Sequence, residues 1–258
     1  YSARSALWAV FLAQRGVTGA HNAMEGKAGF FPVYVNSEPP DEAEMTGLRD
    51  RFQVEELWIK QYPSCGGAHR STHAAIDLAR AEDLQVADIK DIDLYVGENG
   101  IWFVGAPFEI RQHPQVDAQF SAAYAVAVGL VHRKAGLAQY ATENIVSDET
   151  VLDIARRVRI HEKEGTKGKL THQVPVTLKV TTHDGRTLSS TAFGLKGSPD
   201  DPMTYAEVAD KYRECADYAG IRSTERVEGV ISAVAGFEAV DDVAQFVQDM
   251  LVAKGVER

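Results

Sequence analysis

The run Lys60-Gln61-Tyr62-Pro63-Ser64-Cys65-Gly66-Gly67-Ala68-His69 gathers a lysine, a tyrosine, a thiol and an imidazole around a proline and two glycines. A lysine ammonium binds a carboxylate as a point charge, or serves as acid or base where burial lowers its pKa. Lys60 follows Trp58-Ile59, and a surface lysine with its stem laid on apolar neighbours is the plainer alternative. Cys65 is a nucleophile if a helix N-terminus and His69 lower its pKa, and otherwise a buried inert thiol. Pro63 pushes Tyr62 toward extended geometry, and Gly66-Gly67 let the chain turn before a helical pattern that starts near His69. The expectation is a loop entering a helix N-terminus, a place suited to an anionic ligand. Gln61 and Tyr62 would face that ligand.

His69 and His73 stand four apart, the helical spacing that can hold zinc. The intervening Arg70-Ser71-Thr72 lacks the glutamate of a metalloprotease motif, so no metal is expected. His69, at the helix start, is the candidate for proton transfer. Arg111-Gln112-His113-Pro114 forms a second basic cluster, able to clamp a carboxylate through bidentate hydrogen bonds; a solvated loop is its alternative. Ser121 and Tyr124 share a face of an alanine-rich segment and point either into a cleft or into a polar pocket of the core. No phosphate loop is present, and Gly194 and Gly197 do not form a dinucleotide fingerprint.

These groups must be positioned by a chain of 258 residues with 45% apolar and 25% charged content, the composition of an ordinary globular protein. A net charge of -10 argues against nucleic acid or an anionic membrane as partner, since either demands a dominant basic surface. Local cations must then override the global field at any anion site. Cys65 and Cys215 match no zinc or disulfide spacing, and a reduced, cytoplasmic setting is the simpler expectation. No stretch is long and apolar enough to span a bilayer, and residues 1–30 lack a secretory pattern. The chain opens without a methionine in a helical pattern, Ser2 to Arg15, as if within something larger.

That first pattern places Leu7, Val10 and Phe11 at helical spacing before Gly16, and a buried helix is expected. Residues 17–56, with the acidic run Ser37 to Glu44, read as short elements joined by loops. A helix follows over 69–82, and Ile92, Leu94 and Val96 alternate with polar residues as in a half-buried strand. Gly97 to Pro114 is turn-rich, and Asp117 to Lys134 is expected to be one buried helix. Ser147-Asp148-Glu149 starts another, through about Val158. His183-Asp184-Gly185-Arg186 between β-rich runs predicts a hairpin. Thr204 and Glu207 form a capping box for a helix to about Tyr218, and helices near 224–235 and 240–253 complete the chain. The order fits an α+β fold, either as one domain or as a helical domain interrupted by an α/β insertion.

Lys60 to His69, with Ala75-Ile76-Asp77, resembles the signature of the MmgE/PrpD family, which includes 2-methylcitrate dehydratase, cis-aconitate decarboxylase and iminodisuccinate epimerase. Three further segments resemble it in order: Ser2 to Phe30, Asp117 to Ala127, and Lys196-Gly197-Ser198-Pro199 through Lys211-Tyr212. The resemblance implies a discontinuous all-helical domain from residues 1–56 and 197–258 carrying an α/β lid of residues 57–196. It implies a cofactor-independent lyase that removes a proton next to a carboxylate of a small di- or tricarboxylate, with 2-methylcitrate dehydration first and epimerisation or decarboxylation as alternatives. Lys60, Cys65 and His69 would carry the chemistry, and Gln61, Tyr62, Arg111, His113 and Ser121 would hold substrate. A homodimer is implied as well. Two departures stand out. The family's longer N-terminal part, which carries further active-site residues, has no counterpart here, so a second chain supplying it is one expectation and a non-catalytic subunit another. About one helical turn also separates His69 from Ala75 relative to the family, leaving His69 or His73 at the family position.

Overall fold

The computed structural model describes residues 1–35, 52–170 and 173–251; the acidic run Ser37 to Glu44 lies outside them. Contacts divide the chain into two units, Tyr1–Glu55 and Glu56–Arg258. The first unit is built on helix α1, Ser2–Gln14, followed by turns and a short π-helical turn at Phe31–Val35. The expected burial of α1 is not found: none of its residues is buried, and Leu7, Trp8 and Phe11 are each more than half exposed. Periodicity and alanine content are enough to form the helix, but among the described residues this unit offers no second α-helix or strand to close over it.

The second unit is α+β. Its sheet has four strands, β1 (Ile89–Val96), β2 (Val158–Glu162), β3 (Val176–Thr182) and β4 (Thr187–Ala192), in the order β2-β1-β3-β4. β1 runs parallel to β2 and antiparallel to β3, and β3 and β4 form the expected hairpin. Gly185 supplies the left-handed backbone of its turn (φ +88°), the conformation an Asp-Gly dipeptide favours. Ile92, Leu94, Leu178 and Val180 are fully buried on one sheet face, each worth about 1.5–3 kcal/mol. Their neighbours Asp91, Asp93 and Tyr95 lie half-buried on the other, next to Arg159 and His161.

Helices α2 (Gly66–Ala81), α3 (Glu98–Val104), α4 (Pro114–Gln119), α5 (Ala122–His132), α6 (Thr142–Ser147) and α7 (Glu149–Arg157) complete the core. α2 packs on α5 and on β3 and β4, and α5 packs on α7. Alanines make that packing close: a Cβ at Gly129 would lie 2.6 Å from that of Ala75.

The structure corrects four expected boundaries. α2 begins at Gly66 rather than near His69, so the two glycines form its first turn after Cys65 at the N-cap. The segment 117–134 is two helices rather than one. Ser121 is extended (φ -121°, ψ 119°), and its Oγ accepts from Tyr124 N at 3.1 Å to cap α5. Gln119's carbonyl, near that break, accepts from Cys65 N at 2.8 Å. The turn-rich stretch after Gly97 contains α3, and Val158 opens β2 rather than ending a helix. A parallel partner such as β2 requires a crossover, here supplied by α3 through α7.

Beyond the sheet, α8 (Tyr205–Tyr218) carries the expected capping box, with Thr204 N donating to Glu207 at 2.8 Å. α9 (Thr224–Ala235) is tied to α8 by a bidentate Arg213–Glu228 pair at 2.7 Å, and α10 spans Val243–Leu251. Among the described residues no helix is long and apolar enough to cross a membrane.

Candidate functional site

The Lys60–Ser64 segment is held at three points. Ile59 N donates to Gly197 O at 2.9 Å, Ser64 N to Tyr62 O at 2.9 Å, and Cys65 N to Gln119 O at 2.8 Å. Lys60 is exposed, and its Nζ donates to Ser64 O at 3.1 Å. Its ammonium is thereby placed over the start of α2.

Lys60 and Cys65 line one pocket of about 340 Å³ together with Ser64, Gln119, Phe120 and Lys211. Two ammonium groups thus share a pocket with the N-cap of a sixteen-residue helix, and both the lysines and the helix N-terminus favour an anion there. Lys211, from α8, ends one of the segments that resemble the family but was not expected in the site. Nothing local marks it, because its neighbour in space is far away along the chain.

His69 is 3% exposed. Burial lowers its pKa to about 4, with Lys60 and Lys211 adding to the effect and main-chain contacts at Ser64 and Tyr62 opposing it. The imidazole is therefore uncharged at neutral pH, and its Nε2 is buried without a hydrogen-bond partner in the protein. Its ring meets the Tyr62 ring edge-on at 5.4 Å.

Tyr62 forms a wall between two spaces. It borders the lysine pocket and also a cleft of about 250 Å³ lined by Gln61, His69, Arg70, His73, Asp77 and the segment 191–196. His73 Nε2 lies 3.1 Å from Asp77 Oδ2, and Tyr62 Oη lies 3.5 Å from His73 Nδ1. Tyr62 is buried, and burial pushes its hydroxyl pKa well up, with the Asp77 charge adding to the effect. Arg70 is buried as well; it donates to Gly194 O at 3.1 Å and Val174 O at 3.4 Å, fastening α2 to the sheet edge.

The structure therefore brings Lys60, Gln61, Tyr62, Cys65 and His69 together. It places the others elsewhere. Arg111 is exposed and engaged by Asp117 (2.7, 2.8 and 3.0 Å), His113 is exposed at the start of α4, and Ser121 caps α5. None of these three lines either space. His69 and His73 are separated in role, the first enclosed, the second paired with Asp77. Among the described residues no group of three or more His, Cys, Asp or Glu side chains is arranged to hold a metal ion.

The α+β unit thus has a dicationic pocket at a helix N-terminus, a charge arrangement complementary to a small anion, beside an uncharged histidine. The chain belongs to the MmgE/PrpD family: residues 62–235 match its MmgE/PrpD C-terminal domain. It is similar to the cis-aconitate decarboxylase of Aspergillus terreus, 24% identical over 264 residues covering 96% of this chain and 52% of that protein. The human cis-aconitate decarboxylase is 24% identical over 256 residues, covering 93% and 49%, and the mouse protein 23% over 254 residues, again 93% and 49%. The chain spans about half the length of the curated relatives it matches.

Proposed function

We propose that the chain forms the carboxylate-binding part of a cofactor-independent lyase acting on a small di- or tricarboxylate. The observation that carries this reading is the convergence of Lys60 and Lys211 with Cys65 in one pocket at the N-terminus of α2. A carbon acid next to a carboxylate loses its proton only if the negative charge that develops is stabilised, and fixed cations supply that stabilisation. Lys60 is the principal cation, and His69, kept neutral, orients or donates to the substrate without adding a competing charge. Elimination of water from a 2-methylcitrate-like substrate is the first reading. Decarboxylation is the second, favoured by the name the relatives carry, and epimerisation makes the same initial demand. A homodimer and a further segment or chain that completes the site belong to the same proposal.

The test compares wild type with Lys60→Ala, giving each 2-methylcitrate and cis-aconitate and identifying products by NMR. An unsaturated product that keeps every carboxylate indicates dehydration, and loss of carbon dioxide indicates decarboxylation. Lys60→Ala should lower turnover at least about a hundredfold with its circular dichroism unchanged. Turnover within about threefold of wild type would remove Lys60 from the mechanism.

A further inference from the structure

The lysine pocket supplies cations, and among the described residues that line it there is no carboxylate or histidine. The neighbouring cleft contains a chain of three groups that does not depend on the pocket's cations: Tyr62 Oη, 3.5 Å from His73 Nδ1, and His73 Nε2, 3.1 Å from Asp77 Oδ2. Only one tautomer satisfies all three. With its proton on Nε2, His73 donates to the Asp77 carboxylate and presents the Nδ1 lone pair to the Tyr62 hydroxyl. Tyr62 also borders the lysine pocket. Among the described residues it is the one that lines both the cationic space and the cleft holding the histidine–aspartate couple.

We propose that Tyr62, His73 and Asp77 form the proton relay of this site, with Tyr62 the group that meets the substrate and His73 and Asp77 its positioning pair. The inference rests on the lyase reading and deepens it. The C–H bond beside the carboxylate breaks and an O–H bond forms on Tyr62 as its original proton passes to His73 Nδ1. An imidazolium is left against the Asp77 carboxylate. The electron pair stays on the substrate, next to Lys60 and Lys211, and expels the hydroxyl group, which leaves as water after taking the proton back along the same route. Burial of Tyr62 disfavours a free phenolate, so the two proton transfers are concerted rather than stepwise. His73 is held on one side by α2 itself and faces the cleft on the other, where Asp77 and Tyr62 are its polar neighbours. His69, enclosed and uncharged, takes no part in the relay.

The experiment uses Tyr62→Phe, His73→Gln and Asp77→Asn in the full chain, each with three readouts: binding of the tricarboxylate by calorimetry, turnover, and exchange of substrate carbon-bound protons in deuterated water. Tyr62→Phe and His73→Gln should lower kcat and proton exchange at least about a hundredfold while leaving affinity within about threefold. Asp77→Asn should lower kcat less, with affinity likewise kept. Nitrogen-15 spectra of the ring nitrogens, read without substrate, should show His73 in the Nε2–H tautomer, with its Nδ1 resonance moved by Tyr62→Phe. Exchange within about twofold of wild type in Tyr62→Phe, or an Nδ1–H tautomer at His73, overturns the relay. If wild type neither binds a tricarboxylate nor exchanges its protons, the lyase reading fails instead, and the tautomer still decides whether the three groups are coupled as proposed.

Discussion

The main-chain N–H of Ile59 donates to the carbonyl of Gly197, and that single contact anchors the segment carrying Lys60 to the junction ahead of α8. Gly197 sits at φ +89°, and a Cβ there would fall 1.9 Å from the Ile59 carbonyl oxygen. No side chain fits without moving the lysine segment. Gly197→Ala is expected to destabilise the protein by roughly 1–3 kcal/mol and to weaken tricarboxylate binding more than a surface change of equal stability cost. Urea unfolding and calorimetric titration of the same sample check both parts.

His69 makes stability depend on pH. Its pKa is about 4 in the folded protein, against an ordinary value of 6.5, so the unfolded chain takes up the proton first. The stabilisation is complete above about pH 6.5 and is lost as pH falls through that value toward 4, for a total of about 3 kcal/mol. Urea midpoints measured from pH 7 down to pH 4 should fall less in His69→Phe than in wild type. Parallel curves for the two proteins would show that His69 is not held uncharged.

The closeness of α2 and α5 is a third expectation. Gly129→Ala would push a methyl group to 2.6 Å from Ala75 Cβ and 3.0 Å from Thr72 O, costing about 1–3 kcal/mol because two packed helices must separate. Thermal denaturation should show the lowered midpoint, and pairing it with Ala75→Gly should recover part of the loss.

Arg70→Met keeps much of the buried stem and removes donors from the Gly194 and Val174 carbonyls. The loss is expected to be on the order of 2–3 kcal/mol, larger than for Arg111→Met, whose guanidinium is exposed. Chemical unfolding of the two variants side by side tests the ranking.

Much of this was legible along the chain. The Asp184-Gly185 hairpin, the Thr204–Glu207 box and the alternation in β1 are set by local chemistry, and each appears where that chemistry places it. The misplaced boundaries share a different cause. Two glycines are poor helix formers, yet Gly66 and Gly67 begin α2: a Cβ at Gly67 would only touch Val104 at 3.6 Å, and Cys65 is pinned to Gln119 from outside. The break at Ser121 is likewise hidden by uniform alanine content, and only its cap reveals it. For the site, Lys60 to His69 are neighbours in sequence and could be grouped by eye. Lys211 joins them only through folding, and the link from His73 to Tyr62 depends on how the loop returns over α2.

The parallel pairing of β1 with β2 also governs how the molecule must assemble. Ile92 meets Val158 only after five intervening helices have been laid down, whereas β3 meets β4 across a four-residue turn. The hairpin is a local event, and the crossover closes a long loop whose entropy must be spent before the strand contact repays it. Refolding is therefore expected to proceed with β2 as the last strand to join, its rate set by docking of α5 and α7, so that changes in the crossover helices or at the Asp184-Gly185 turn alter folding speed while changes on β2 itself mostly alter unfolding.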